Sequence, residues 1–287
     1  MPRTVLFAFW GRKANVEIQL PYIQRIVDEN PDVEFHGWDL CRDAADHDYL
    51  ATLPTSDRFQ VRTDEYTADG KAMRGQNGVW RHYANGREYR DTLFVKLDDD
   101  DVFLETRAFS RFVEAIDTNR EHVISALTIN NGASTPLIPD LQIGYEHCDV
   151  PVLPDWKTIT GPVHLSAEYA EMCHRWFIDN WRTLIDKPTM LTPCENDWLS
   201  INCIGLDHQM LRRVAQWIGR THPRVVAGRH FRRGTVGDEG AANMMPRLID
   251  EGFVAAHFSF GPQVSGMAGA VDELRKHYTD IARQYLA

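Results

Sequence analysis

The chain opens with an apolar run at residues 5–9, whose length and unbroken hydrophobicity predict a strand buried on both faces. Behind it, Asn15 can cap a helix whose apolar set is Val16, Ile18, Leu20, Tyr22, Ile23, Ile26 and Val27, with Asn30-Pro31 as its stop. Residues 33–38 alternate like a second strand, so the opening is β-α-β and predicts parallel pairing with a right-handed crossover. An acidic segment with Asp43, Asp46 and Asp48 follows. From 57 to 90 the chain is polar, and Ala72, Val79, Trp80 and Tyr83 supply one face of a helix. The pattern then predicts a strand over 92–97, a helix over 110–116 and a strand over 122–129. Prolines at 136, 139, 151, 154 and 162 predict a long irregular connection. Helices over 166–185, 207–218 and 241–249, a strand over 253–256 and a C-terminal helix complete the reading. With no repeat and no linker, the expectation is a single α/β domain over 1–287, with a mixed, mostly parallel sheet flanked by helices.

One polar stretch breaks this pattern. The apolar strand Phe94-Val95-Lys96-Leu97 ends abruptly in Asp98-Asp99-Asp100-Asp101. Adjacent carboxylates repel, so a fold that keeps four of them needs a cation beside them, and hard oxygen ligands suit Mg²⁺ or Mn²⁺ better than Zn²⁺. The end of a parallel strand is also where open α/β sheets bind ligands. Asp98 and Asp100 have D-x-D spacing, which in an extended backbone puts both carboxylates on one side, able to share one ion. An ion held by one or two carboxylates keeps positions for water and a diphosphate, so the ligand expected is a nucleotide phosphate ester. Asp99 and Asp101 remain to pair with arginines or to cap a turn. The other reading of the run is a solvated acidic turn.

Composition narrows the classes. At 43% hydrophobic and 25% charged residues the chain is ordinary for a globular protein. No apolar run approaches the roughly 20 residues of a membrane span, and the N-terminus reads as a strand rather than a leader, so a cytoplasmic location is expected. Cys41, Cys148, Cys173, Cys194 and Cys203 are scattered and odd in number, which favours reduced thiols. A net charge of -10 opposes a non-specific grip on nucleic-acid phosphate, although the segment 212–233 is arginine-rich. Phe9-Trp10-Gly11-Arg12 is neither GxGxxG nor a P-loop, which disfavours a dinucleotide dehydrogenase or a P-loop enzyme.

The β-α-β opening without a P-loop and the strand closing on Leu97-Asp98-Asp99-Asp100-Asp101 resemble nucleotide-sugar glycosyltransferases of the GT-A fold, a likeness that covers most of the chain. The finer pattern of Lys96 to Asp101, then Asn202, then His257-Phe258-Ser259-Phe260, is similar to bacterial and phage rhamnosyltransferase-like proteins. The resemblance implies a nucleotide-binding half over 1–103 and an acceptor-binding half over 104–287. It implies that Asp100 ligates a Mn²⁺ or Mg²⁺ gripping the donor diphosphate, that Asp98 supports the ribose or the ion, and that His257 completes the metal site. It also implies Phe9, Trp10, Arg12 and Asp39 around the nucleotide base and ribose, with Arg74 on phosphate and Trp80 packing nearby. Arg232 or Arg233 would stabilise the leaving group. An inverting transferase needs a carboxylate base, and glycine-flanked Asp238-Glu239 offers two, in an order that departs from the family's x-Glu-Asp and leaves the choice between them open. The same residues also suit a helix N-terminus. Glu195 and Asp197, in a stretch with Trp198 and Asn202, are a second place for the base. The expected activity is sugar transfer from a nucleotide-sugar donor to an acceptor hydroxyl on a glycan, a protein or a modified DNA base. The alternatives are a metal-dependent nucleotidyl or phosphoryl transferase and a non-catalytic glycan-binding module.

Overall fold

The computed structural model describes residues 2–63, 72–145, 160–195, 197–231 and 234–287. Its strands are β1 (Thr4–Trp10), β2 (Val33–Asp39), β3 (Phe59–Arg62), β4 (Leu93–Asp98), β5 (Asp101–Leu104), β6 (Val123–Ile129), β7 (Leu191–Pro193), β8 (Cys203–Asp207), β9 (Val225–Val226), β10 (Arg229–His230) and β11 (Arg247–His257). Nine of them form one sheet in the order β3-β2-β1-β4-β8-β6-β11-β5, with β7 beside β11, while β9 and β10 form a separate hairpin. Six of the nine (β1 to β4, β6 and β11) run one way, and β5, β7 and β8 run against them. This is the mixed, mostly parallel sheet that the opening β-α-β pattern predicts. It is continuous through both halves of the chain, because β8 pairs with both β4 and β6.

The residues of β1 alternate between two cores, as period-2 geometry requires. Leu6, Ala8 and Trp10 join a cluster with the helices Lys13–Glu29, Phe109–Thr118, Ala167–Leu184 and Val271–Leu286. Val5, Phe7 and Phe9 join a second cluster, on the other face, with the helices Ala72–Asn85 and His208–Trp217. Val79, Trp80 and Tyr83 are the buried stripe of helix Ala72–Asn85. Ser166 and Asp207 cap their helices by accepting from Tyr169 N at 3.1 Å and Met210 N at 2.7 Å. Among the described residues no helix is long and apolar enough to cross a membrane.

Three expectations are corrected. The first helix starts at Lys13, and Asn15 lies buried in its first turn, where its Oδ1 accepts from Arg275 Nε at 3.2 Å instead of capping. The helix expected over 241–249 is only the turn-and-a-bit Asp238–Ala242. The helix has ended by Asn243, Pro246 has no N–H to extend it, and the chain enters β11 at Arg247. The register of β11 against β6 shifts between Asp250 and Val254. Gly252 lies within that shift, and a Cβ there would sit 2.5 Å from Pro188 O, so the strand passes only as glycine. Third, the four aspartates are not one extended segment. Asp98 ends β4, Asp99 and Asp100 turn the chain, and Asp101 begins β5, which pairs with β11 at the end of the strand order, an end that the curl of the sheet brings back beside β4.

Candidate functional site

The acidic turn sits where β4, β5 and β11 meet. On the β5–β11 ladder, His257 pairs with Asp101 across an irregular register, and Phe258 N donates to Asp100 O at 2.8 Å. This pairing carries His257 from near the end of the chain to the aspartates. Ligand atoms of Asp98, Asp100 and His257 all lie within 4.8 Å of one another. His257 Nε2 is 3.3 Å from Asp100 Oδ1.

The protein itself supplies much of the positive charge that the run demands. Lys96, buried in β4, donates to Asp98 Oδ1 and, at 2.7 Å, to Ile201 O. Asn202 Nδ2 donates to Asp98 Oδ2 at 3.0 Å. Arg12 holds Asp99 with two bonds, Nε to Oδ2 at 2.8 Å and Nη2 to Oδ1 at 2.5 Å, and its Nη2 lies 2.8 Å from Asp100 Oδ2. Asp101 is wholly buried and accepts from Asp98 N at 3.0 Å, so it ties the turn together. Of the two roles left open for Asp99 and Asp101, the first takes the arginine and the second takes the turn.

Electrostatics follow this packing. Burial opposes ionisation of Asp100, but His257 and Arg12 outweigh it and hold the carboxyl well below the usual carboxylate range. Burial likewise opposes the charge on His257, and Asp100, Asp101 and Asp98 reverse the effect and raise it. Lys96 is raised in the same way, with Asp98 the chief opponent of burial. Burial pushes the Asp101 carboxyl well up, helped by Asp98.

An oxygen-rich set of two carboxylates and one imidazole suits Mg²⁺ or Mn²⁺ with water completing the shell. Asp101 Oδ1, His257 Nδ1 and Ser259 Oγ are buried with no hydrogen-bond partner among the described residues. Such orphaned groups are costly without a further ligand, which agrees with an ion at this turn.

A cavity of about 320 Å³ opens over the turn, lined by Phe9, Arg12, Leu40, Arg42, Asp98 and Asp100 among others, with Ser259 and Phe260 from beyond β11. A second cavity, of about 410 Å³, is lined by Trp198, His222, Arg229, Phe231 and Asp238. The two share Gln76, Asp98 and Glu239. The indole of Trp198 donates to Glu239 Oε1, and burial, with Asp238 and Asp98 nearby, pushes the Glu239 carboxyl up to about 7. Asp238 instead accepts from Trp80 Nε1 at 3.2 Å and from Glu239 N at 2.9 Å, and lines only the second cavity.

The expected nucleotide residues divide. Phe9 and Arg12 line the first cavity. Trp10 does not: both aromatics belong to β1, alternation turns Trp10 into the opposite core, and its Nε1 donates to Gln19 Oε1 at 2.9 Å. Asp39 is wholly buried and accepts from Cys41 N at 3.1 Å and from His47 Nδ1, while Leu40 and Arg42 take the wall. The side chains of Arg74, Arg232 and Arg233 lie outside the described residues. Glu195 and Asp197 are exposed and line neither cavity. Sequence reasoning assigned no role to Lys96, Gln76 or Arg42. Lys96 carried a signal, since a lysine in the middle of a buried strand is rare without a partner.

No protein-family model matches the chain, and no curated protein matches it.

Proposed function

We propose that the chain is a metal-dependent glycosyltransferase of the GT-A kind, moving a sugar from a nucleotide diphosphate donor to an acceptor hydroxyl. The observation that carries this reading is the position of Glu239, a carboxyl raised to about 7, between the Asp98–Asp100–His257 cavity and a second cavity. Two-substrate transfer needs a base that faces donor and acceptor together, with a pKa near the working pH.

A divalent cation held by Asp98, Asp100 and His257 would supply charge neutralisation for the departing diphosphate. Phe9 and Leu40 form an apolar wall for the nucleotide base. Arg42 brings a guanidinium to the phosphates, and Arg12 keeps Asp99 and Asp100 in place through its ion pairs. Glu239 takes the proton of the acceptor hydroxyl as that oxygen bonds to the anomeric carbon. The bond from that carbon to the diphosphate breaks, and the diphosphate leaves with its electron pair. Asp238, bonded to the Trp80 indole, orients the start of the short helix that carries Glu239. This assigns the base role, which the sequence left open, to Glu239.

The test is a donor screen with Mn²⁺ or Mg²⁺ that follows released nucleotide diphosphate with and without chelator. The expected result is chelator-sensitive release from one nucleotide sugar, abolished in Asp100→Ala. Glu239→Gln should lower turnover by about 100-fold or more while keeping diphosphate affinity, with a smaller effect for Asp238→Asn. Undiminished turnover in Asp100→Ala, or turnover of nucleoside triphosphates alone, overturns the reading.

A further inference from the structure

We infer that the second cavity is a subsite for a neutral carbohydrate, so that the acceptor hydroxyl is that of a sugar; this rests on the transferase reading above.

The walls of the cavity argue for it in two ways. Its aromatic side is continuous: the Phe231 and His222 rings stack 3.9 Å apart and nearly parallel, at 7°, and Phe231 meets Trp198 at 5.6 Å. Arg229 lies 4.6 Å from the Trp198 ring centre and 5.0 Å from that of Phe231, fixing both. Trp198 is 3% exposed, whereas Phe231 and His222 are half-buried, and all three line the space. An apolar ring with polar groups beside it suits the C–H face of a pyranose, whose hydroxyls lie around its rim.

The opposite side is carboxylate. Asp98, Asp238 and Glu239 all border this space; of the two cations among its described lining residues, Lys96 is bonded to Asp98 and Arg229 lies over the Trp198 and Phe231 rings on the aromatic side. Ionised carboxylates only accept hydrogen bonds, so they are satisfied by a ligand rich in hydroxyl donors. A nucleobase would also stack on the aromatic side, but it offers the carboxylates only an exocyclic amine or a ring N–H where a pyranose offers several hydroxyl donors, so the carboxylate side favours the sugar. The cavity meets the first at Asp98 and Glu239, so a sugar on the Phe231 wall has hydroxyls within the region that Glu239 borders.

Two variants probe the site differently. Phe231→Ala removes a ring from the aromatic side. Gly237→Leu fills the space: a Cβ at Gly237 meets no atom within 4 Å, and its φ of -82° is open to any residue, so the change needs no rearrangement of the fold. The experiment is saturation-transfer NMR on the full chain with maltose, cellobiose and lactose, beside a hydroxymethylated oligodeoxynucleotide and a serine-containing peptide. Mn²⁺-dependent binding of UDP, GDP and dTDP is measured on the same preparations. The inference expects a signal from at least one neutral disaccharide and none from the oligonucleotide or the peptide. Both variants should weaken that signal by about 10-fold or more and leave Mn²⁺-dependent diphosphate binding unchanged. Binding of the oligonucleotide or peptide instead, silence from all three disaccharides, or a sugar signal indifferent to both variants overturns it. Sugar binding sensitive to both variants in a protein with no Mn²⁺-dependent diphosphate binding sustains the subsite and overturns the transferase reading, so the two failures are distinct.

Discussion

Glu239 and Lys96 show how single residues acquire chemistry from burial. Glu239 acts as a base only when ionised, and burial has moved that ionisation to about 7. Turnover should therefore rise about tenfold per pH unit below 7 and level off above it, and a pH–rate profile checks this; in Glu239→Gln that limb should vanish. Lys96 is 1% exposed and shares Asp98 with Asn202. Replacing it by methionine keeps the stem but strands a carboxylate, at a cost on the order of 3 kcal/mol read as a fall in the urea midpoint. At this scale Asp98, Asp100, His257, Phe9 and Arg12 were legible as residues that come to one cavity, and Glu239 only as one of the pair Asp238-Glu239, because each stands at the end of a strand pattern or beside a glycine. Trp10 and Asp39 were misread for the same physical reason: each is the last residue of its strand and still follows the alternation, where one step along the chain changes the face. Gln76 gave no signal, since nothing in a polar helix marks which turn overhangs a cavity.

At the scale of elements, the parallel opening and the amphipathic helices were legible because their periods run for several turns. The short strands were not. β3, β7 and β8 have four, three and five residues, too few for alternation to declare itself. β8 is nevertheless the piece that joins the two halves of the sheet, and its packing is exacting. A Cβ on Gly205 would lie 2.1 Å from Ile116 Cδ1 and 2.5 Å from Ile116 Cγ1, so helix Phe109–Thr118 sits directly on the strand. Gly205→Ala should cost about 1–3 kcal/mol through overpacking, seen as a lower urea midpoint with an unchanged slope. β11 was legible only in its second half, because Gly252 and the register shift beside it interrupt the hydrophobic pattern that would otherwise have joined 247–249 to 253–257.

At the scale of the molecule, the sheet matters because it assembles a site from distant parts. The short strand β5 follows β4 after two residues and pairs with β11, so the sheet curls to bring the end of its strand order beside β4. Asp98 and His257, separated by more than half the chain, become neighbours only when that edge has closed. A ligand that needs both should bind the native state alone, so Mn²⁺ at about 100 times its dissociation constant should stabilise the protein by about 2.7 kcal/mol, a gain absent in Asp100→Ala and read by thermal unfolding. The two-residue passage between β4 and β5 also sets an order in time. Contacts this distant in sequence form late, after the cost of closing the long intervening loop has been met. An ion should therefore slow the unfolding limb of a chevron and leave the refolding limb almost untouched, acting as a lock that is fitted only once the last strand has arrived.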